Sequence, residues 1–298
     1  MASRACADGL EQGNAHLAVL ELQVLDTSWL SIDHETFAWP SGELSRRHIV
    51  DAFATIAWFR ALAVKASASS ISDMVRFYEP EAKSSAEQFK RCHRQWAERL
   101  VGRRTPRRAM IDVAELRCPG SAAMFSLPLW PALRTDWTFE RSLMEVSRAL
   151  PAHIRDELVA ELRRAPRWLA DGRARAMKRR GTLDDLACLL MLLRRANDTG
   201  AEHAAYQLAR GIKRVLLLQA GWLLAYGLVQ PLVEHVVGEL FGKAPAHFRP
   251  WVTAEEYFHS LDWLVNAAPR HLPGIVDGFG PEEWLRAADL ALSHADSL

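Results

Sequence analysis

From Glu43 onward the apolar positions recur at helical spacing, segment after segment. In Leu44–Ala66, Ile49, Phe53, Ile56, Ala57 and Phe59–Arg60 recur at near-helical spacing, and the serine-rich stretch Ser67–Ser72 ends the pattern. A second helix is predicted over Glu81–Val101, with Phe89, Trp96 and Leu100 inward; Gly102-Arg103-Arg104-Thr105-Pro106 breaks it, because proline cannot continue a helix and glycine favours its end. Further helices are expected near 138–149, 151–164, 166–179, 200–220, 222–241, 253–266 and 281–295. Leu183–Leu193 is apolar on every side, so its helix should be central.

The punctuation agrees with this spacing. Pro151, Pro166 and Pro281 each suit the first turn of a helix. Thr253 with Glu256 three residues on has the capping-box pattern. Asp184-Asp185 after Thr182, Glu255-Glu256 and Glu282-Glu283 place paired carboxylates at three helix starts, where they complement the helix dipole.

The first 40 residues read differently. Leu20, Leu22 and Val24 alternate with Glu21 and Gln23, a strand pattern, and Thr36–Trp39 is a second short candidate ahead of Pro40-Ser41-Gly42. The two would form a small β-hairpin; the alternative is a single buried helix over Ala15–Leu25. In 117–137, Pro119, Pro128 and Pro131 argue against regular structure, while the apolar content argues for a packed connector. The expectation is therefore a mainly α protein, a multi-helix globular bundle with a small β-hairpin near the N-terminus. It comprises an N-terminal unit (1–116, the hairpin plus two long helices), the connector 117–137 and a C-terminal helical unit (138–298). No repeat of fixed period is present.

The longest apolar stretch, Val215–Val229, falls short of the roughly 20 residues that a membrane span requires. Gln219, Gly221 and Gly227 interrupt it, and a buried core helix is expected, with no membrane partner. The composition, 49% hydrophobic and 24% charged over 298 residues, is that of a globular chain. The 11 tryptophans are expected mainly in the core, with some available for a partner surface. The four cysteines, Cys6, Cys92, Cys118 and Cys188, form no CxxC, and residues 1–16 lack an apolar signal core; free thiols and a cytoplasmic location are expected. Abundant Ala, Arg, Leu and Trp with few Lys suit a bacterial protein.

Charge changes the picture most. The net charge is only +1, yet two windows are strongly basic. Residues 90–108 hold Lys90, Arg91, Arg94, Arg99, Arg103, Arg104, Arg107 and Arg108 against Glu98 alone. Residues 163–180 hold Arg163, Arg164, Arg167, Arg173, Arg175, Lys178, Arg179 and Arg180 against Asp171 alone. On a continuous helix Arg164, Arg167, Arg175, Lys178 and Arg179 would share about a third of the circumference with Trp168, unless Gly172 breaks it. Arg103, Arg104, Arg107 and Arg108 would form a basic loop. Such surfaces grip a phosphate backbone or an acidic protein. The competing reading is internal pairing, since 1–51 and 231–298 are both acidic on balance.

Reaction chemistry has little support. The chain has no GxSxG elbow, no GxxxxGK[ST] loop, no HExxH and no paired CxxC knuckles. Glu256 and His259 have the ExxH spacing of di-iron bundles, but no second ExxH accompanies them, so they are weak metal candidates. No cofactor is called for. The expected role is a non-catalytic helical adaptor or subunit of a larger assembly, binding an acidic protein surface or a nucleic-acid backbone through its two Arg-rich segments. An enzyme with a site assembled between helices, metal-dependent or not, and a toxin-neutralising or defence-associated protein stand as alternatives. The oligomeric state is not legible.

Overall fold

A computed structural model of the protein describes residues 48–168, 172–241 and 254–266. Among the described residues it is mainly α, with no strand. The proposed hairpin, Thr253, and the helix at 281–295 with Pro281 and Glu282-Glu283 lie outside the described residues. In chain order the α-helices are α1 (Ile49–Lys65), α2 (Ile71–Tyr78), α3 (Ala86–Leu100), α4 (Arg108–Arg117), α5 (Leu129–Leu133), α6 (Phe139–Ala149), α7 (Ala152–Leu162), α8 (Arg173–Arg180), α9 (Leu183–Asp198), α10 (Glu202–Leu218), α11 (Ala220–Ala225), α12 (Val229–His235) and α13 (Ala254–Asn266). Short 3-10 turns occupy Pro80–Ser84, Ser121–Phe125 and Pro166–Trp168, and a π-helical turn follows α12 at Val236–Phe241. The chain divides into two compact units, Met1–Trp130 with Gly221–Leu228, and Pro131–Ala220 with Val229–Leu298.

The first unit is built around α1. Every residue from Ala52 to Ala63 is buried, as an apolar helix with no polar face requires. The serine-rich turn ends α1 and starts α2: Ser70 accepts a hydrogen bond from the Asp73 amide at 3.2 Å, and Ser69 and Ser70 donate to the Asp73 carboxylate. Against α1 lies an aromatic cluster. Trp58 and Trp96 stack at 6.0 Å and 10°, Tyr78 stacks on Trp96 at 5.3 Å, and Phe59 and Phe125 close the sides. Stacked rings of this kind contribute about 0.5–1.5 kcal/mol per pair beyond their buried area. Glu79 is the polar inlay: its two oxygens accept from Trp96 Nε1 (2.7 Å) and Cys92 Sγ (2.8 Å).

Two local expectations needed correction here. The Pro-rich connector is not irregular throughout, because the Glu115 carboxylate gathers its backbone, accepting from the amides of Gly120 and Ala122 at 2.7 Å each and from the Ser121 hydroxyl. The turn that results is the 3-10 helix Ser121–Phe125, and Pro131 lies within the short helix α5. A helix, α4, also follows directly on the basic loop; with only Ile111 and Ala114 buried, it has almost no apolar stripe to announce it.

In the second unit α9 is central, as its all-round apolar sequence requires; α6, α7, α8 and α10 pack on it. A full capping box starts it, with Thr182 Oγ1 accepting from the Asp185 amide and Asp185 accepting from the Thr182 amide. Arg194 reaches from α9 to the carbonyls of Arg134 and Trp137 and to the Ser142 hydroxyl, each at 2.8 Å, and so fixes the entry to α6. The expected helix at 222–241 is instead α11, α12 and a π-helical turn, with the break at Gly227 (φ +62°). The Arg60 guanidinium lies against Gly227 and donates to the Ala225 carbonyl at 3.3 Å. The left-handed φ favours glycine at 227, and a Cβ there would also displace the Arg60 guanidinium.

Candidate anion-binding surface

Of the two basic windows, the first is partly spent within its own unit. Arg99 is buried, its guanidinium 5.1 Å above the Trp96 ring, and burial lowers its pKa to about 10. Arg104 pairs with Glu98 at 3.2 Å and Arg108 with Asp112 at 3.0 Å. Arg103 and Arg107 are exposed, as are Lys90, Arg91 and Arg94 on α3. The loop is thus less basic than its composition.

The second window does not form one continuous helix. Gly172 (φ +61°) separates the 3-10 turn Pro166–Trp168 from α8. The stripe expected along one helix is replaced by a surface assembled from separate pieces. Arg164 is turned toward Glu161, Nε to Oε1 at 3.5 Å, and that buried carboxylate also accepts from the Arg173 amide at the start of α8 (3.3 Å). Lys178 donates to the Gln207 carbonyl at 3.0 Å and lays its stem along Gly211 of α10. Arg180 binds Glu157 and Asp185 and holds α7, α8 and α9 together. These three cations serve the fold.

Arg163, Arg167, Arg173, Arg175 and Arg179 are exposed. Trp168 is 48% exposed, an uncommon state for an indole, and the Arg167 guanidinium lies 5.5 Å from its ring centroid. Arg175 and Arg179 stand one turn apart on α8. Sequence reasoning missed two more cations: Arg210 and Arg214 stand one turn apart on α10, against which both α8 and the 166–168 turn pack. Arg214 Nη1 donates to the Lys178 carbonyl near the C-terminal end of α8. Only tertiary packing brings α10 to this surface, so no local signal marks the pair.

The weak metal candidates come together no further. Glu256 and His259 share α13, but Glu256 faces Lys213 at 3.9 Å, and among the described residues no group of three or more His, Cys, Asp or Glu side chains is placed to hold a metal ion. Cys92, Cys118 and Cys188 are free and buried. Val215–Val229 is spent on the end of α10, α11 and the turns beside them, and no described helix is long and apolar enough to cross a membrane. No family model, curated protein or solved structure matches the chain.

Proposed function

We propose that the protein is a non-catalytic helical adaptor that binds an anionic macromolecule through the arginine surface of its second unit. The observation that carries this reading is the concentration of exposed arginines on two helices packed together, Arg173, Arg175 and Arg179 on α8 and Arg210 on α10. Like charges one turn apart destabilise a helix by about 0.2–0.5 kcal/mol per pair. A concentration of exposed positive charge makes a local field that favours a negatively charged partner. Arg164, Lys178, Arg180 and Arg214 also bond within the fold. The exposed Arg103 and Arg107 of the first unit offer a second, weaker contact. Buried free thiols suit a reducing, cytoplasmic setting.

The test is a titration of the full chain with fluorescently labelled heparin at two salt concentrations. Binding that weakens with salt, and that drops at least tenfold when Arg167, Arg173, Arg175 and Arg179 are all changed to Gln, supports the reading. Equal binding by the quadruple variant, with its helicity intact, overturns it.

A further inference from the structure

We propose that the anionic partner is single-stranded nucleic acid, with Trp168 as the platform on which a base stacks; this rests on the adaptor reading above. Arginine alone does not distinguish a phosphate backbone from an acidic protein, and the indole is the discriminating feature. Trp168 is nearly half exposed in the 3-10 turn Pro166–Trp168, and it is flanked in sequence by Arg163, Arg164 and Arg167 on one side and by Arg173 and Arg175 beyond Gly172 on the other.

The Arg167 guanidinium lies 5.5 Å from the ring centroid, so a cation stands beside the aromatic surface on which a base would stack. The turn itself is anchored: it packs on α9 and α10, and Glu161 fixes Arg164 just before it and the Arg173 amide just after. A base needs a rigid aromatic face beside positive charge, and every base has a π-face to offer, so the site would be tolerant of sequence. A duplex keeps its bases stacked inside and presents only phosphates to such a surface, and an acidic polypeptide has no base to offer. Both would meet the arginines and leave the indole unused.

The experiment is fluorescence anisotropy with a labelled thymidine oligonucleotide, the corresponding duplex and labelled poly-glutamate, using the full chain and the variants W168A and W168F. The expected result is tightest binding to the single strand, a loss of about tenfold for that strand alone in W168A, and recovery in W168F. That loss corresponds to the roughly 1–3 kcal/mol that stacking one base contributes. Arg175→Gln with Arg179→Gln should flatten the salt dependence for the strand and the duplex, because each lost phosphate contact lowers the slope by about 0.7 for a single strand and about 0.9 for a duplex. If W168A binds the strand as tightly as the unmodified chain, or if poly-glutamate or the duplex binds tighter than the strand, the base-stacking inference fails while the adaptor reading stands. If none of the three ligands binds at low salt, both fail.

Discussion

Arg180 and Asp185 form an ion pair in the second unit: Arg180 Nη2 lies 2.7 Å from Asp185 Oδ1, and the carboxylate is fully buried. The same guanidinium holds the Glu157 carboxylate, Nη2 to Oε2 at 2.7 Å. Its hydrogen bonds depress the Glu157 pKa, and the two carboxylates together raise that of Arg180. One arginine thus ties α7, α8 and the first turn of α9 into a single polar joint.

Removing that arginine should be costly. Arg180→Ala leaves Asp185 charged in the interior with only Thr182 to satisfy it. Stranding one member of a buried pair costs about 3–5 kcal/mol, and the surviving Thr182 bonds place this case at about 3 kcal/mol. Urea denaturation of the variant should show a large drop in midpoint at nearly constant slope. A change below about 1 kcal/mol would mean that Asp185 is not held by this pair.

Which parts of this arrangement the sequence disclosed follows from how far each signal reaches. The cap Thr182–Asp185 and the apolar run behind it lie within one stretch of chain, so α9 and its central place were legible. The role of Arg180 was not, because its partner Glu157 is 23 residues away and its charge looks like any other in a basic run. Arg164 and Lys178 look like surface cations in sequence for the same reason, although Glu161 and the Gln207 carbonyl claim them. Arg210 and Arg214 show the opposite error, since only the packing of α8 on α10 recruits them. The interruption at Gly172 was legible as a risk, because a glycine there permits the positive φ that a continuous helix forbids. Trp168 stands out as a candidate by sequence, yet the exposure that singles it out among the described tryptophans belongs to the fold.

His235 should make stability depend on pH. It is buried, Nε2 lies 3.0 Å from the Leu133 carbonyl, and burial lowers its pKa, which that contact and Glu239 only partly oppose. The unfolded ring titrates near its ordinary value, about 6.5. Below that pH the unfolded chain takes up a proton that the folded chain resists, so this stabilisation is present above about pH 6.5 and is lost as pH falls toward the lower folded value. The unfolding midpoint should therefore decline from pH 7.5 to pH 5. His235→Gln, whose amide can still donate to Leu133, should decline less; matching profiles would remove His235 as the source.

Cys92 and Cys188 should resist alkylation in the folded protein. Burial raises the Cys92 pKa to about 11, helped by its hydrogen bond to Glu79 and that group's charge, and burial raises the Cys188 pKa further. The thiolate is the reactive form, so little of it exists at pH 8. Iodoacetamide labelling followed by peptide mass mapping should find both cysteines unmodified in buffer and modified in guanidinium. Labelling of Cys92 in buffer at the rate of a free thiol would contradict the Glu79 contact.

Two glycines in the left-handed region separate backbone strain from crowding. Gly102 has φ +70°, and a Cβ there would lie 2.9 Å from the Ala52 Cβ and 3.1 Å from the Ile56 Cδ1 on α1. Gly200 has φ +64°, and a Cβ there meets nothing within 4 Å. Gly200→Ala should cost only the conformational penalty, about 1–2 kcal/mol. Gly102→Ala should cost that plus an overpacking penalty of about 1–3 kcal/mol, because the obstructing atoms belong to the short side chain and backbone of a helix buried on all sides and cannot swing away. Thermal or urea unfolding of the two variants side by side measures the difference directly. Equal losses would show that α1 yields at Ala52, and that the close approach of the 101–106 turn to α1 is not what fixes glycine at 102.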